Sequence, residues 1–170
     1  MKTKNQTQYI AYTIVFISLS LILGYVESLF PITVGDVGIK IGLSNIVTIL
    51  ALKSIGMKRT ILINTLRLII LGVLFGNIAR FVISVSGFLV SFLIMYIFLM
   101  HFKAGVIISS IFGGIFHNIG QFIAIIFIMK NFYILYLLPI YVLLGILSGL
   151  FVGIISNTLM KSFKMTKGEL

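Results

Sequence analysis

Acidic residues are scarce in this 170-residue chain, which has only three, and cysteine does not occur. So few carboxylates cannot form the clusters that hold magnesium for diphosphate chemistry. Without cysteine there are no disulfides, thiolate nucleophiles, iron–sulfur clusters or cysteine zinc sites. The sequence also lacks a G-x-x-x-x-G-K-[ST] loop and an H-E-x-x-H motif. We therefore expect no catalytic residues, no metal site, no cofactor and no enzyme acting alone.

The composition is that of an integral membrane protein. Hydrophobic residues make up 60% of the chain and charged residues 9%, and the mean hydropathy is +1.24. Soluble domains carry about 25% charged residues. The formal charge of +10 comes from cations placed between apolar runs, which indicates membrane orientation and not nucleic-acid binding.

Six apolar runs predict an all-α bundle of about six transmembrane helices in a single domain, residues 1–170. The first run is too long for a signal peptide and lacks an A-x-A site, so we expect a permanent span. The second run is short and polar at its start, which predicts a partly inserted or broken helix. The predicted spans cover residues 9–30, 41–55, 60–75, 81–100, 105–129 and 132–160, with tails at 1–8 and 161–170.

The distribution of cations predicts that both termini and both tails are cytoplasmic, in the cell membrane. Cytoplasmic loops carry an excess of Lys and Arg. One side of the predicted bundle holds nine cations and the other holds three. The nine are Lys2, Lys4, Lys53, Lys58, Arg59, Lys103, Lys161, Lys164 and Lys167; the three are Lys40, Arg80 and Lys130.

The connection of residues 31–40 is the longest on the extracytoplasmic side. Its proline and two glycines favour turns, which predicts a surface hairpin. Its Val and Ile content equally suits a flap over a cavity.

The fifth span carries the densest group of polar residues. His117 and Gln121 lie four apart and share one helix face, and Asn118 nearly shares it. Polar side chains at membrane depth are costly and often mark a substrate path. Each of them could alternatively hydrogen-bond between helices. For the group we expect a ligand site.

Two charged residues lie inside apolar spans, Arg67 in the third and Glu27 in the first. Arg67 could extend its side chain to the cytoplasmic interface. Alternatively, Arg67 and Glu27 form an internal pair, which requires tilt or a broken second helix.

The start of the second span offers a cation and polar groups, Lys40 and Asn45. Together with free helix N–H groups they suit an anionic ligand. An ordinary helix cap beside an interfacial lysine is the alternative. On the sixth span, Gly145, Gly149 and Gly153 form a small-xxx-small pattern that predicts close helix packing.

Several stretches between about Leu23 and Gly153 resemble the Gx transporter family, also labelled heptaprenyl diphosphate synthase component I. They are residues 27–31, 38–48, 74–76, 86–87 and 116–121, with Arg67, Ser91 and Met95. The resemblance implies a small helical protein similar to the substrate-binding S components of energy-coupling-factor transporters. It also implies a gate after the first span and a transmembrane coupling subunit with two ATPases as partners.

Together these features predict a membrane subunit that binds a small molecule, and the resemblance implies that this molecule is vitamin-like or related to a flavin, a quinone or an isoprenoid. The residues expected to line its site are Glu27, Lys40, Asn45, Arg67, His117, Asn118 and Gln121. Two alternatives stay open: a non-catalytic accessory protein of a flavin-based electron-transfer or isoprenoid system, and a prenyl diphosphate synthase component.

Overall fold

The structure is a computed structural model that describes residues 6–29, 32–34, 37–39, 42–75 and 78–162. These residues form six α-helices and one two-stranded hairpin. The helices are α1 (Gln6–Leu29), α2 (Asn45–Ser54), α3 (Met57–Phe75), α4 (Ile78–Tyr96), α5 (Val106–Met129) and α6 (Leu138–Ser162). A π-helix (Ile97–His101) extends α4, and a 3-10 helix (Phe132–Leu137) precedes α6.

Four of the described helical stretches are long and apolar enough to cross a bilayer: Gln6–Leu29, Ile78–His101, Val106–Met129 and Phe132–Ser162. The short second helix, α2, has 10 residues, about half of what a span needs. The α3 helix has 19 residues and carries three cations. The predicted all-α membrane bundle with a short second helix is confirmed.

The helix ends differ by a few residues from the predicted spans. Residues 6–8, which we assigned to the N-terminal tail, belong to α1, and α6 continues to Ser162. The predicted sixth span consists of a 3-10 helix and an α-helix. Proline at position 139 lies in the first turn of α6, where a missing N–H costs nothing because that group has no partner within the helix.

The short helix α2 is the centre of the bundle. Eight of its ten residues are buried, including Val47, Ile49 and Leu52 at 0% exposure. A helix that is apolar on all sides is stable only when other helices surround it. Gly56 lies just beyond the end of α2, and its φ of +84° allows its N–H to bond the Ala51 carbonyl at 3.2 Å.

Contacts between helices fix their directions. The α1 and α3 helices are parallel, because Arg59 lies 4.2 Å from the ring centre of Tyr9 and Phe75 lies 5.1 Å from Tyr25. Two helices that run the same way need a return segment between them, and α2 with its connections provides it. Among the later helices, Ser91 Oγ of α4 donates to the carbonyl of Gly113 on α5 at 2.8 Å.

The connection between α1 and α2 contains an antiparallel hairpin. Its strands are β1 (Ile32–Val34) and β2 (Val37–Ile39), with Thr33 paired to Gly38. The backbone is therefore a hairpin, and the choice between a surface hairpin and a flap over a cavity stays a prediction. Residues 31, 35, 36 and 40 of this connection lie outside the described residues. The predicted role of Lys40 in the site therefore stays a prediction.

Candidate functional site

The last turn of α1 is tied to the start of the α2 region through a buried carboxylate. Glu27 is 6% exposed, and its Oε1 accepts a hydrogen bond from the backbone N–H of Gly42. A buried carboxylate is stable only when it is hydrogen-bonded or charge-compensated. The Gly42 N–H provides the first of these stabilising contacts.

Gly42 forms a tight corner before α2. Its φ is +80°, a conformation that favours glycine, and its carbonyl accepts the N–H of Asn45 at 2.8 Å. A Cβ at Gly42 would lie 2.8 Å from Nδ2 of Asn45 and 3.8 Å from Cδ2 of His117. Glycine therefore lets α2 begin in direct contact with the polar face of α5.

On α5, His117 and Gln121 form a hydrogen-bonded pair. Nε2 of Gln121 lies 2.9 Å from Nε2 of His117. An amide nitrogen only donates, so Nε2 of His117 is the acceptor in this contact. Gly87 of α4 packs against both, since a Cβ there would lie 2.6 Å from Cγ of Gln121 and 3.1 Å from Cε1 of His117. The predicted shared face of His117 and Gln121 thus lies between α4 and the Gly42 corner.

Arg67 is an internal cation. It is 4% exposed, and its Cδ would be 3.7 Å from a Cβ on Gly24 of α1. Glu27 lies one turn further along α1 and exerts a coulombic effect on the guanidinium. The burial of Arg67 favours an internal position over extension to the cytoplasmic interface, and a direct pair with Glu27 stays a prediction.

A second polar contact joins α2 to α3 near Arg67. The hydroxyl of Thr48 donates to Oδ1 of Asn64 at 2.9 Å, and Nδ2 of Asn64 donates to the carbonyl of Thr60, also at 2.9 Å. All three residues are at most 1% exposed. This contact fixes the α3 face that carries Arg67 against the polar start of α2.

Asn118 faces a different helix from its neighbours in the sequence. Its Nδ2 donates to the carbonyl of Tyr141 on α6 at 3.0 Å. Successive residues on a helix are rotated by about 100°, so Asn118 and His117 face different neighbours. The structure therefore does not bring Asn118 together with His117 and Gln121, and Asn118 joins α5 to α6.

The glycines of α6 pack against the backbone of α5. A Cβ on Gly145 would lie 2.7 Å from Cα of Ile115, one on Gly149 would lie 2.5 Å from the carbonyl oxygen of Ser110, and one on Gly153 would lie 2.9 Å from Cα of Ile107. These separations leave no room for a side chain. The small-xxx-small pattern thus brings α5 and α6 close together.

Two buried amide oxygens in the site have no hydrogen-bond partner among the described residues. They are Oδ1 of Asn45 and Oε1 of Gln121, and the two residues are 4% and 0% exposed. Burying such an acceptor without a hydrogen bond costs roughly 1–3 kcal/mol. These atoms are therefore available to a ligand.

Sequence reasoning missed the structural part played by two glycines, Gly42 and Gly87. Gly42 precedes a polar helix start, and Gly87 lies on the helix that faces His117. The sequence signal that could have found them is a glycine next to a predicted site residue, because glycine is typical of positions where another group approaches the backbone closely. In the described ranges no three His, Asp or Glu side chains lie close enough to hold a metal ion.

The comparison with protein families matches residues 16–159 to the family described as heptaprenyl diphosphate synthase component I. The chain belongs to this family. The match to heptaprenyl diphosphate synthase component I includes Glu27, Gly42, Arg67, His117 and Gln121. No curated protein and no solved structure showed significant similarity to the chain. The family resemblance predicted from the sequence is confirmed, and the likeness to S components stays a prediction.

Proposed function

We propose that this chain is a non-catalytic membrane subunit that binds a small molecule within its helical bundle, similar to the S component of an energy-coupling-factor transporter. The main support is the convergence of Glu27, Gly42, Asn45, His117 and Gln121 from three separate regions of the chain. Polar groups at membrane depth are costly to bury and often mark a substrate path.

The position of the site in the chain supports access from outside the cell. The hydrogen bond between Glu27 and Gly42 joins the two ends of the connection that contains β1 and β2. The distribution of cations predicts that this connection is on the extracytoplasmic side. In this proposal both termini are cytoplasmic. A ligand enters beside the connection, and a coupling subunit with two ATPases drives uptake.

The proposal assigns no synthase activity to the chain alone. Its three acidic residues, Glu27, Asp36 and Glu169, are far apart in the sequence, and Glu27 is engaged by Gly42. Magnesium diphosphate sites use several carboxylates. The family description, heptaprenyl diphosphate synthase component I, favours a second candidate function, an accessory membrane subunit of an isoprenoid system.

Mass spectrometry of small molecules released from the purified protein tests the binding function. The wild type should release one compound in near-equimolar amount, and Gln121→Met, which removes the amide at similar size, should release much less. Asn157→Leu is the matched control, because it removes an amide from α6 outside the site. Equal release from Gln121→Met and wild type, with helical content unchanged, would contradict the proposal.

Co-purification after gentle extraction separates the two candidates. ATPase subunits in the complex support transport. A soluble prenyl transferase in the complex, together with no released compound, supports the accessory role.

A further inference from the structure

The two charged side chains of the site that the structure describes are of opposite sign. Among the described residues that converge there, Arg67 is the cation and Glu27 is the anion acting on it. An anionic ligand would have to compete with Glu27 for Arg67 and leave a buried carboxylate without its counter-charge. Breaking a buried pair in this way is strongly destabilising. The pair therefore favours a ligand that is uncharged where it enters the site.

Two buried hydrogen-bond acceptors of the site remain without a partner among the described residues. Oδ1 of Asn45 and Oε1 of Gln121 have no partner among the described residues, while Nε2 of Gln121 is used on His117. Both oxygens are buried, so binding requires the groups that cover them to move apart. Only a ligand with N–H or O–H groups can satisfy these oxygens, because a carbonyl or an ether oxygen cannot donate.

We propose that the ligand of this site carries an uncharged head group with two N–H or O–H donors, which bond Asn45 and Gln121. This inference rests on the proposed binding function and narrows its substrate class. A diphosphate does not fit, because it is anionic, and an oxidised quinone ring does not fit, because it has no donor. Rings that contain amide or imide N–H groups, and diols, do fit.

Three compounds built on one ring test the two parts of this inference. Uracil is neutral and has two N–H donors. 1,3-Dimethyluracil keeps the ring and both carbonyls and has no donor, whereas orotate keeps both donors and adds a carboxylate. Their affinities are measured by saturation-transfer NMR with the full chain in lipid nanodiscs. We expect uracil to bind at least about tenfold more tightly than 1,3-dimethyluracil, as the loss of one buried hydrogen bond implies. We also expect uracil to bind more tightly than orotate, because the carboxylate of orotate would have to compete with Glu27 for Arg67.

Two variants connect any selectivity to the named residues. Gln121→Met should bring the uracil to 1,3-dimethyluracil ratio close to one, and the Asn157→Leu control should retain the wild-type ratio. Glu27→Gln removes the counter-charge of Arg67, so it should shift preference from uracil toward orotate. A merely structural role for these residues would change stability without changing either ratio.

The results separate this inference from the proposed function. Orotate or 1,3-dimethyluracil binding as tightly as uracil, or no binding of uracil at millimolar concentration, overturns the head-group assignment. A released native compound that is anionic or lacks donors also overturns it, while the binding function stands. If no compound is released and none of the probes binds, the binding function fails as well.

Discussion

The carboxylate of Glu27 accepts the backbone N–H of Gly42, and so the last turn of α1 is joined to the start of the α2 region across the hairpin. The same carboxylate acts on the charge of Arg67 in α3. One side chain therefore holds together three segments that border the proposed site. Its substitution is expected to affect both stability and ligand selectivity.

Glu27 and Arg67 should show strong energetic coupling. Glu27→Gln or Arg67→Met alone leaves one buried charge uncompensated, which typically costs about 3–5 kcal/mol. The double variant removes both charges and should be more stable than either single variant. Thermal unfolding in detergent, followed by circular dichroism, measures all four proteins. Additive losses in the double variant would show that the two charges do not interact.

Gly42→Ala should destabilise the protein and reduce ligand retention. The left-handed backbone costs an alanine roughly 1–2 kcal/mol, and its Cβ would meet Nδ2 of Asn45 at 2.8 Å. Gly105→Ala is a suitable control, because Gly105 precedes α5 with a φ of −63° and nothing lies within 4 Å of its Cβ position. Unfolding temperatures that fall equally in both variants would show that the positive φ and the close contact at Gly42 do not make alanine especially unfavourable there.

The close contact between α5 and α6 should not tolerate a methyl group at Gly149. The added Cβ would meet the carbonyl oxygen of Ser110 at 2.5 Å, and overpacking of this kind costs about 1–3 kcal/mol. At Gly113 the three atoms nearest the added Cβ all belong to the side chain of Met95, which is flexible. Thermal unfolding should therefore show a larger loss for Gly149→Ala than for Gly113→Ala. The reverse order would contradict the packing described for this helix pair.

The orientation of the bundle can be measured directly, because the chain has no cysteine and introduced cysteines give no background. Lys103 and Lys130 are exposed and lie just beyond the two ends of α5. A membrane-impermeant maleimide should label Lys130→Cys in intact cells, and Lys103→Cys only after the membrane is opened. Labelling of Lys103→Cys in intact cells would reverse the proposed orientation.

Hydropathy and glycine spacing predicted most of the fold. Long apolar runs located the bundle, and the short, polar second run predicted a short helix, which is α2. Helix ends were less predictable, because they depend on local hydrogen bonds. The side chain of Asn131, for example, accepts the N–H of Tyr133 and begins the 3-10 helix that apolar composition alone had merged with α6.

The site was predictable in composition and not in geometry. Spacing along α5 placed His117 and Gln121 on one face, and they are hydrogen-bonded to each other. The same spacing argument grouped Asn118 with them, yet Asn118 contacts Tyr141 of α6. Which neighbouring helix covers each face depends on tertiary packing, and a single sequence does not contain that information. The same reason left the orientation of Arg67 open.

An experimental structure of the protein with its co-purified ligand tests the central claim most directly. We predict density for a small molecule between α2 and α5, with its donors on Oδ1 of Asn45 and Oε1 of Gln121. Arg67 should remain beside Glu27 in that structure. A ligand bound elsewhere, or these two amide oxygens satisfied by protein groups alone, would contradict the account.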